Sequence, residues 1–495
     1  MKTPDGPKPP TQVGHRAEAA GHDLHSYRVG LLRILNRILQ RLRLEESFRA
    51  YLPPQGRRCR IDPAVGLMAL LKNLPLSREP LYGVGEWAAR HAPDLLGLCE
   101  RQITSLNDDR VGRCLDRLFR NDSGSLALTV ATHAIAEFGV GLDQLHNDST
   151  TITSHGDSPD ATHEEKREEQ SRLAITWGHD KGHRPDLKQL LFILTVSKDG
   201  GVPVYFQARS GNTADDQTHR ATWDLLCTPA QRRDFLYVAD CKLATAEDMR
   251  ARPSAGRPVP HPDPRTRGED RSFRESLSRG QVRWRPIYDK RDEDGEIIDQ
   301  FSVSEGPALS AEGYRLVWYH SARKAESDAA QRARRVDRAP REFAELQQKL
   351  GSPRSRYQDR AKVATAVEAI LESRGAVGWI TTTIEERAVE KYHQEGRGRP
   401  TEKTRYIKEV ITRFDLKCEI DHAALAAEHL GDGVFPSITN DRTLSERELL
   451  LAYKGQPAIE ERFAQLKSDF AVAPVYLKEV SRIQALLCMY SFVLL

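Results

Sequence analysis

Near residue 140 the apolar spacing of this 495-residue chain changes its period. Up to Phe138 the pattern is helical. YRVGLLRILNRILQRLRL sets Val29, Leu32, Ile34, Leu35, Ile38, Leu39 and Leu42 near helical spacing, with Arg33, Arg37, Arg41 and Arg43 over the remaining surface. PAVGLMALLKNL, EPLYGVGEWAARHA and DDRVGRCLDRLF follow as amphipathic segments divided by Pro, Gly and polar breaks. From Asp143 the spacing is that of strands. LDQLHNDSTTITSHG alternates through β-branched residues, and QLLFILTVSKDGGVPVYFQARSG is a hairpin turning at Lys198-Asp199-Gly200-Gly201. Residues 215–227 then suit a helix, and DFLYVADCKL is an apolar strand of the buried type.

A chain of this length exceeds one core, so two to four domains are expected. Its charge divides near the same boundary. Residues 1–120 hold 20 Lys and Arg against 13 Asp and Glu, a surplus of seven, whereas the whole chain carries only +3. A basic helical domain is suited to nucleic acid through phosphate neutralisation and a helix in the major groove; a solvated arginine face on an ordinary bundle has the same pattern. With 39% apolar and 29% charged residues, the composition excludes a disordered tail, a collagen-like chain and a disulfide scaffold. Seven scattered cysteines without a CxxC pair point to a reducing compartment and away from a zinc module. The opening MKTPDGPKPPTQVGH is a polar lead-in with no apolar signal region, and no run of about 18 apolar residues suggests a membrane span.

Strand, strand, strand, helix, strand is the opening order of the ribonuclease-H-like fold, in which the first and fourth strands are central neighbours. Asp148 near the end of the first strand and Asp240 at the end of the fourth would then lie side by side. Two such carboxylates repel unless a divalent cation sits between them, and hard oxygen ligands suit Mg²⁺, with Mn²⁺ as a substitute. Turn aspartates at strand ends are the plainer alternative. The expected fold class is therefore an α/β catalytic core of ribonuclease-H-like fold, a mixed sheet of strand order 3-2-1-4-5. To this the chain adds an all-helical N-terminal domain and a large mixed insertion between strand 4 and the last strand.

The expected domains are a flexible lead at 1–25, a helical DNA-binding domain at 26–138, the first half of the core at 139–255, the insertion at 256–430 and the second half of the core at 431–495. The insertion opens with a Pro- and Arg-dense linker and contains a charged helical stretch, SARKAESDAAQRARRVDRAPREFAELQQKL, expected to break at Pro340. DGVFPSITND is read as the returning strand. Ser445 and Glu448 form a capping-box pattern, Gly455 should stop that helix, and Pro457 should begin the next. The closing IQALLCMYSFVLL looks like a buried helix without a cap, so the reading frame is expected to continue, or to have been lost, there.

Three spaced blocks carry a resemblance: HNDST with Asp148, LYVADCKLATAEDM with Asp240, and YKGQPAIEERFAQLKSDF with Glu460. Together they resemble the DDE transposases of bacterial insertion sequences, in the insertion-sequence-four superfamily and most closely its sixteen-thirty-four branch. The last block is similar to the superfamily's Tyr-x2-Arg-x3-Glu-x6-Lys box through Tyr453, Glu460 and Lys467. Its arginine position holds Gln456, a neutral amide where an arginine could grip a phosphate with two bonds, and Lys454 is a nearby source of charge.

The resemblance implies metal-dependent DNA cleavage and strand transfer. Asp148, Asp240 and Glu460 would be catalytic and hold two Mg²⁺ ions. Tyr453, Lys454, Gln456 and Lys467 would be the DNA-binding set. The implied partners are double-stranded DNA, as transposon ends and target, and a second copy of the chain in a synaptic homodimer, with no membrane. The implied location is the bacterial cytoplasm, at the nucleoid when DNA is bound. Two other readings stay open: a truncated or inactive DNA-binding regulator of transposition, and a ribonuclease-H-like nuclease or resolvase. His179 and His183 are four apart, but Gly178, Gly182 and Pro185 argue against the helix that would align them as metal ligands. Trp284, Trp318 and Trp379 fit core packing, with stacking on a flipped base as the sharper alternative.

Overall fold

Helix follows helix from Leu32 to Phe138 in the computed structural model. It describes residues 26–52, 60–154, 165–167, 170–178, 184, 186–213, 219–230, 235–239, 268–305, 309–352, 355–396, 398–472 and 477–495. The chain divides into two units.

The first unit contains residues up to 137, with 166–172 and 477–493. At its centre lies helix Pro63–Leu76, begun by Asp62, whose carboxylate accepts from the Ala64 N–H, and by Pro63 in the first helical position. Every residue from Pro63 to Leu74 is buried, the pattern of a helix covered on all sides. Helix Asp108–Arg120 and the terminal helix Val480–Val493 pack against it. Arg482 makes paired 2.9 Å bonds to Asp116, and the Phe48 and Phe492 rings meet edge-on at 5.7 Å. The apolar closing stretch is thus a buried helix of this helical unit. Residues 431–476, by contrast, belong to the second unit. In helix Leu32–Arg41 the expected apolar set also splits: Leu32 and Leu39 are buried, whereas Ile34 and Ile38 are 62% and 45% exposed.

The second unit is built on sheets. To it belong β1 (Gln144–Ser154), β4 (Lys188–Ser197), β5 (Pro203–Ser210) and β6 (Leu236–Ala239), whereas the short paired strands β2 (Glu165–Arg167) and β3 (Gln170–Arg172), between β1 and β4 in the chain, fall from residue 166 onward in the first unit. The mixed sheet runs β5-β4-β1-β6. β1 is antiparallel to β4 from Leu145↔Ser197 to Ser154↔Lys188, and parallel to β6 from Gln144↔Leu236 to Asn147↔Ala239. The hairpin at Lys198–Gly201 and the helix after it, His219–Ala230, lie where expected.

A second sheet combines β7 (Arg285–Arg291), β8 (Ile297–Glu305), β9 (Arg315–Ser321) and β12 (Val434–Thr439) in the order β12-β9-β8-β7. The order 3-2-1-4-5 called for Val434–Thr439 beside β6. Instead it pairs antiparallel with β9 along its length, where every residue of the strand is buried. Phe435 and Tyr319 meet at 5.5 Å on one face, toward helix Glu446–Lys454. Val434 and Trp318 pack on the other with Phe273 of helix Gly268–Ser278. Trp318 stacks on Phe273 at 3.9 Å, so the core reading of that tryptophan holds. This sheet thus takes strands from both sides of residue 430.

The charged stretch forms a single helix, Ala322–Gly351, that runs through Pro340. Proline removes one backbone donor there, but Ala339, Phe343, Leu346 and Leu350 bury a continuous stripe on both sides of it. That stripe packs with helix Arg360–Arg374 and the hairpin of β10 (Ile380–Gln394) and β11 (Tyr406–Ile420). Among the described residues no helix is long and apolar enough to cross a membrane.

Candidate active site

The segment after Ser445 folds as its sequence dictates. Ser445 accepts from the Glu448 N–H, and Glu448 returns to the Ser445 N–H at 2.9 Å, closing the capping box of helix Glu446–Lys454. Gly455 follows that helix, and Pro457 opens helix Pro457–Ala464, which carries Glu460 near its start. Ile459 and Phe463 are buried while Glu460 and Glu461 face solvent.

Asp148 lies in β1, half-buried in a run of buried residues, with Oδ1 accepting from the Ser149 N–H at 2.7 Å. Alternate residues of a strand share a face, so Gln144, His146 and Asp148 point the same way. Helix Pro457–Ala464 packs against β1 and β4, and the junction before it touches that face. Gln144 Nε2 donates to the Ala452 carbonyl at 3.2 Å, and His146 Nδ1 lies 3.1 Å from Gln456 Oε1. Gln456 Nε2 donates to the Asn147 carbonyl at 3.3 Å. Downstream, Arg462 donates to the Gly201 and Gly200 carbonyls at 2.8 and 2.9 Å, in the turn between β4 and β5. The Glu460 helix is thereby fastened on both sides of Glu460 to the sheet that carries Asp148.

The electrostatics follow from burial. Desolvation lowers the pKa of His146, against a raising contribution from its bond to Gln456. Burial likewise lowers the pKa of Arg462. Lys454 keeps an exposed surface, yet its ammonium sits 4.9 Å from the centre of the Phe301 ring and 5.3 Å from that of Phe435. Desolvation lowers its pKa as well. Tyr453 leans on Phe435 at 5.8 Å.

The expected site residues thus occupy different surroundings. Gln456 reaches β1, two positions from Asp148. Tyr453 and Lys454 turn toward the second sheet. Lys467 is half-buried in a π-helical turn, Gln465–Asp469, whose wider winding shifts it from the straight seven-residue alignment with Glu460. Asp240, next in sequence to Ala239, lies outside the described residues, as do His179 and His183. Among the described residues no three His, Cys, Asp or Glu side chains gather as a metal group. The sequence reading did not single out Gln144, His146 or Arg462. Its available signal was the period of two, which puts His146 on the face of Asp148.

Residues 24–132 match the family described as "Domain of unknown function (DUF4277)". No curated protein matches the chain. Among solved structures, the cryo-EM structure of a piggyBac transposase synaptic complex with hairpin DNA is similar at a TM-score of 0.34 and 8% identity, covering 94% of this chain and 73% of that one. Neither comparison points to the insertion-sequence-four superfamily or its sixteen-thirty-four branch.

Proposed function

We propose that this chain is a DDE transposase of a bacterial insertion sequence, binding the terminal inverted repeats of its element and catalysing metal-dependent DNA cleavage and strand transfer. The observation that carries the reading is the joint arrangement of Asp148 and the Glu460 helix. Asp148 is half-buried between buried residues of β1, and the helix bearing Glu460 is bonded to the same strand through Gln456. Asp240 enters from its block in the sequence, directly after the strand that pairs with β1.

The donor set is made of carboxylate oxygens alone, which fits a hard divalent cation. Asp148, Asp240 and Glu460 would hold two Mg²⁺ ions, replaceable by Mn²⁺, whose chemistry is to activate an oxygen nucleophile and stabilise the leaving oxygen at a phosphodiester. The protein's own contribution is to hold the carboxylates in one geometry before DNA arrives. Lys467 is the proposed phosphate contact, as a point charge, Tyr453 and Lys454 are proposed as further DNA contacts, and a second copy of the chain completes the synaptic complex.

Incubation of the full chain with labelled inverted-repeat DNA and Mg²⁺ tests the proposal. Wild type should cut at the repeat ends, and Asp148→Asn should lose cleavage while keeping binding. Binding without cleavage by the wild type under Mg²⁺ and Mn²⁺ would replace the enzyme with a DNA-binding regulator. Preferential cutting of branched DNA that lacks the repeats would replace it with a nuclease.

A further inference from the structure

Two backbone carbonyls determine how the side chains under the Glu460 helix must be oriented. The Asn147 carbonyl can only accept, so the Gln456 atom facing it at 3.3 Å is the amide nitrogen, and Gln456 Oε1 faces His146. An amide oxygen can only accept, so His146 Nδ1 carries the hydrogen. On the far side, the Ala452 carbonyl fixes Gln144 Nε2 as a donor, and that nitrogen lies 2.9 Å from His146 Nε2, which must therefore accept. The four groups form one directed chain: Gln144 to His146, His146 to Gln456, and Gln456 to the Asn147 backbone. Gly455 closes it sterically, since a β-carbon there would sit 2.8 Å from His146 Cε1.

We infer that Gln456 and His146 are positioning residues that clasp the Glu460 helix onto β1, and that position 456 acts inside the protein and not on DNA. An arginine at 456 has no acceptor to offer His146 Nδ1–H. It would force the hydrogen to Nε2, where it would face the donor nitrogen of Gln144. Glutamine is therefore matched to the histidine two positions before Asp148. The role in cleavage rests on the transposase reading; the clasp itself rests only on these contacts.

The test uses the full chain with three measurements: affinity for inverted-repeat DNA, the cleavage rate at saturating DNA and Mg²⁺, and amide exchange across residues 457–464. Gln456→Leu should leave affinity within about twofold, slow saturated cleavage by about 10- to 100-fold, and speed exchange in the helix. Gln456→Arg should behave in the same way. His146→Asn keeps a donor near the Nδ1 position and should retain most of the rate, whereas His146→Leu should match Gln456→Leu. The double leucine variant should be no worse than either single one, because both break the same chain.

Loss of DNA affinity in Gln456→Leu with saturated cleavage unchanged would overturn the inference, as would a gain of affinity and rate in Gln456→Arg. If the wild type cuts no repeat DNA, the transposase reading fails, and exchange alone decides the clasp. Faster exchange in Gln456→Leu supports it, and unchanged exchange overturns it.

Discussion

The two helices that follow Ser445 are held with different emphasis. Glu446–Lys454 is held chiefly by apolar contact, since Leu449 and Leu450 pack among Phe301, Val303, Val317, Tyr319 and Phe435 of the second sheet, with the Tyr319 hydroxyl donating to the Glu446 carbonyl at 2.8 Å and Gln144 to the Ala452 carbonyl at 3.2 Å. Pro457–Ala464 adds to its buried Ile459 and Phe463 a set of directed bonds, through Gln456 at its start and Arg462 near its end. Apolar packing stabilises strongly but tolerates small adjustments. Directed bonds contribute less and fix position more narrowly. A helix bearing a carboxylate that must meet others within a fraction of an ångström has reason to be held in the second way.

The largest effect that would separate the two belongs to the apolar side. Phe435→Ala removes a ring that touches both Tyr319 and Tyr453, so thermal or urea unfolding should show a loss of about 3–5 kcal/mol. Cleavage per folded molecule should change little. A selective loss of cleavage in a fully folded Phe435→Ala would show that the two attachments are not separate.

An intermediate effect is expected at Arg462. Arg462→Met keeps the stem but leaves the Gly200 and Gly201 carbonyls without their donor, at a cost of about 1–3 kcal/mol. Amide exchange in residues 457–464 should rise while exchange in 446–454 stays as it was. Equal acceleration in both helices would mean that they open together.

The smallest effect concerns Lys454. Its folded pKa lies below the ordinary lysine value of 10.5 because of desolvation, so the folded state binds fewer protons than the unfolded chain between those values. Stability should therefore rise with pH through that window in the wild type and rise less in Lys454→Met. At pH 7 the two should differ by only about 0.5 kcal/mol, as for a largely exposed position. Urea unfolding at pH 7 and pH 10 measures both, and an identical pH slope in the two proteins would contradict the burial of that ammonium.

Local chemistry was legible in the sequence, and partnership was not. Ser445 with Glu448, Gly455 and Pro457 announced both helices because caps and breakers act within a few residues. The hairpin between β4 and β5 was readable for the same reason. The apolar run of Val434–Thr439 marked a strand but could not say which sheet would cover it, since Phe435 meets Tyr319 across more than a hundred residues. The terminal helix was legible as buried but not as part of the helical unit. Gln456 was placed among the DNA contacts because its box suggested it. Its partner His146 lies 310 residues away, and only the fold brings the two together.

The central claim is that Glu460, held this way beside β1, is the third catalytic carboxylate. Glu461 is its neighbour and is exposed as well. Single-turnover cleavage of inverted-repeat DNA under Mg²⁺ should therefore be compared between Glu460→Gln and Glu461→Gln at equal DNA occupancy. The account predicts that Glu460→Gln loses cleavage while Glu461→Gln keeps it within a few-fold of wild type. Cleavage retained in Glu460→Gln, or lost in Glu461→Gln alone, would contradict it.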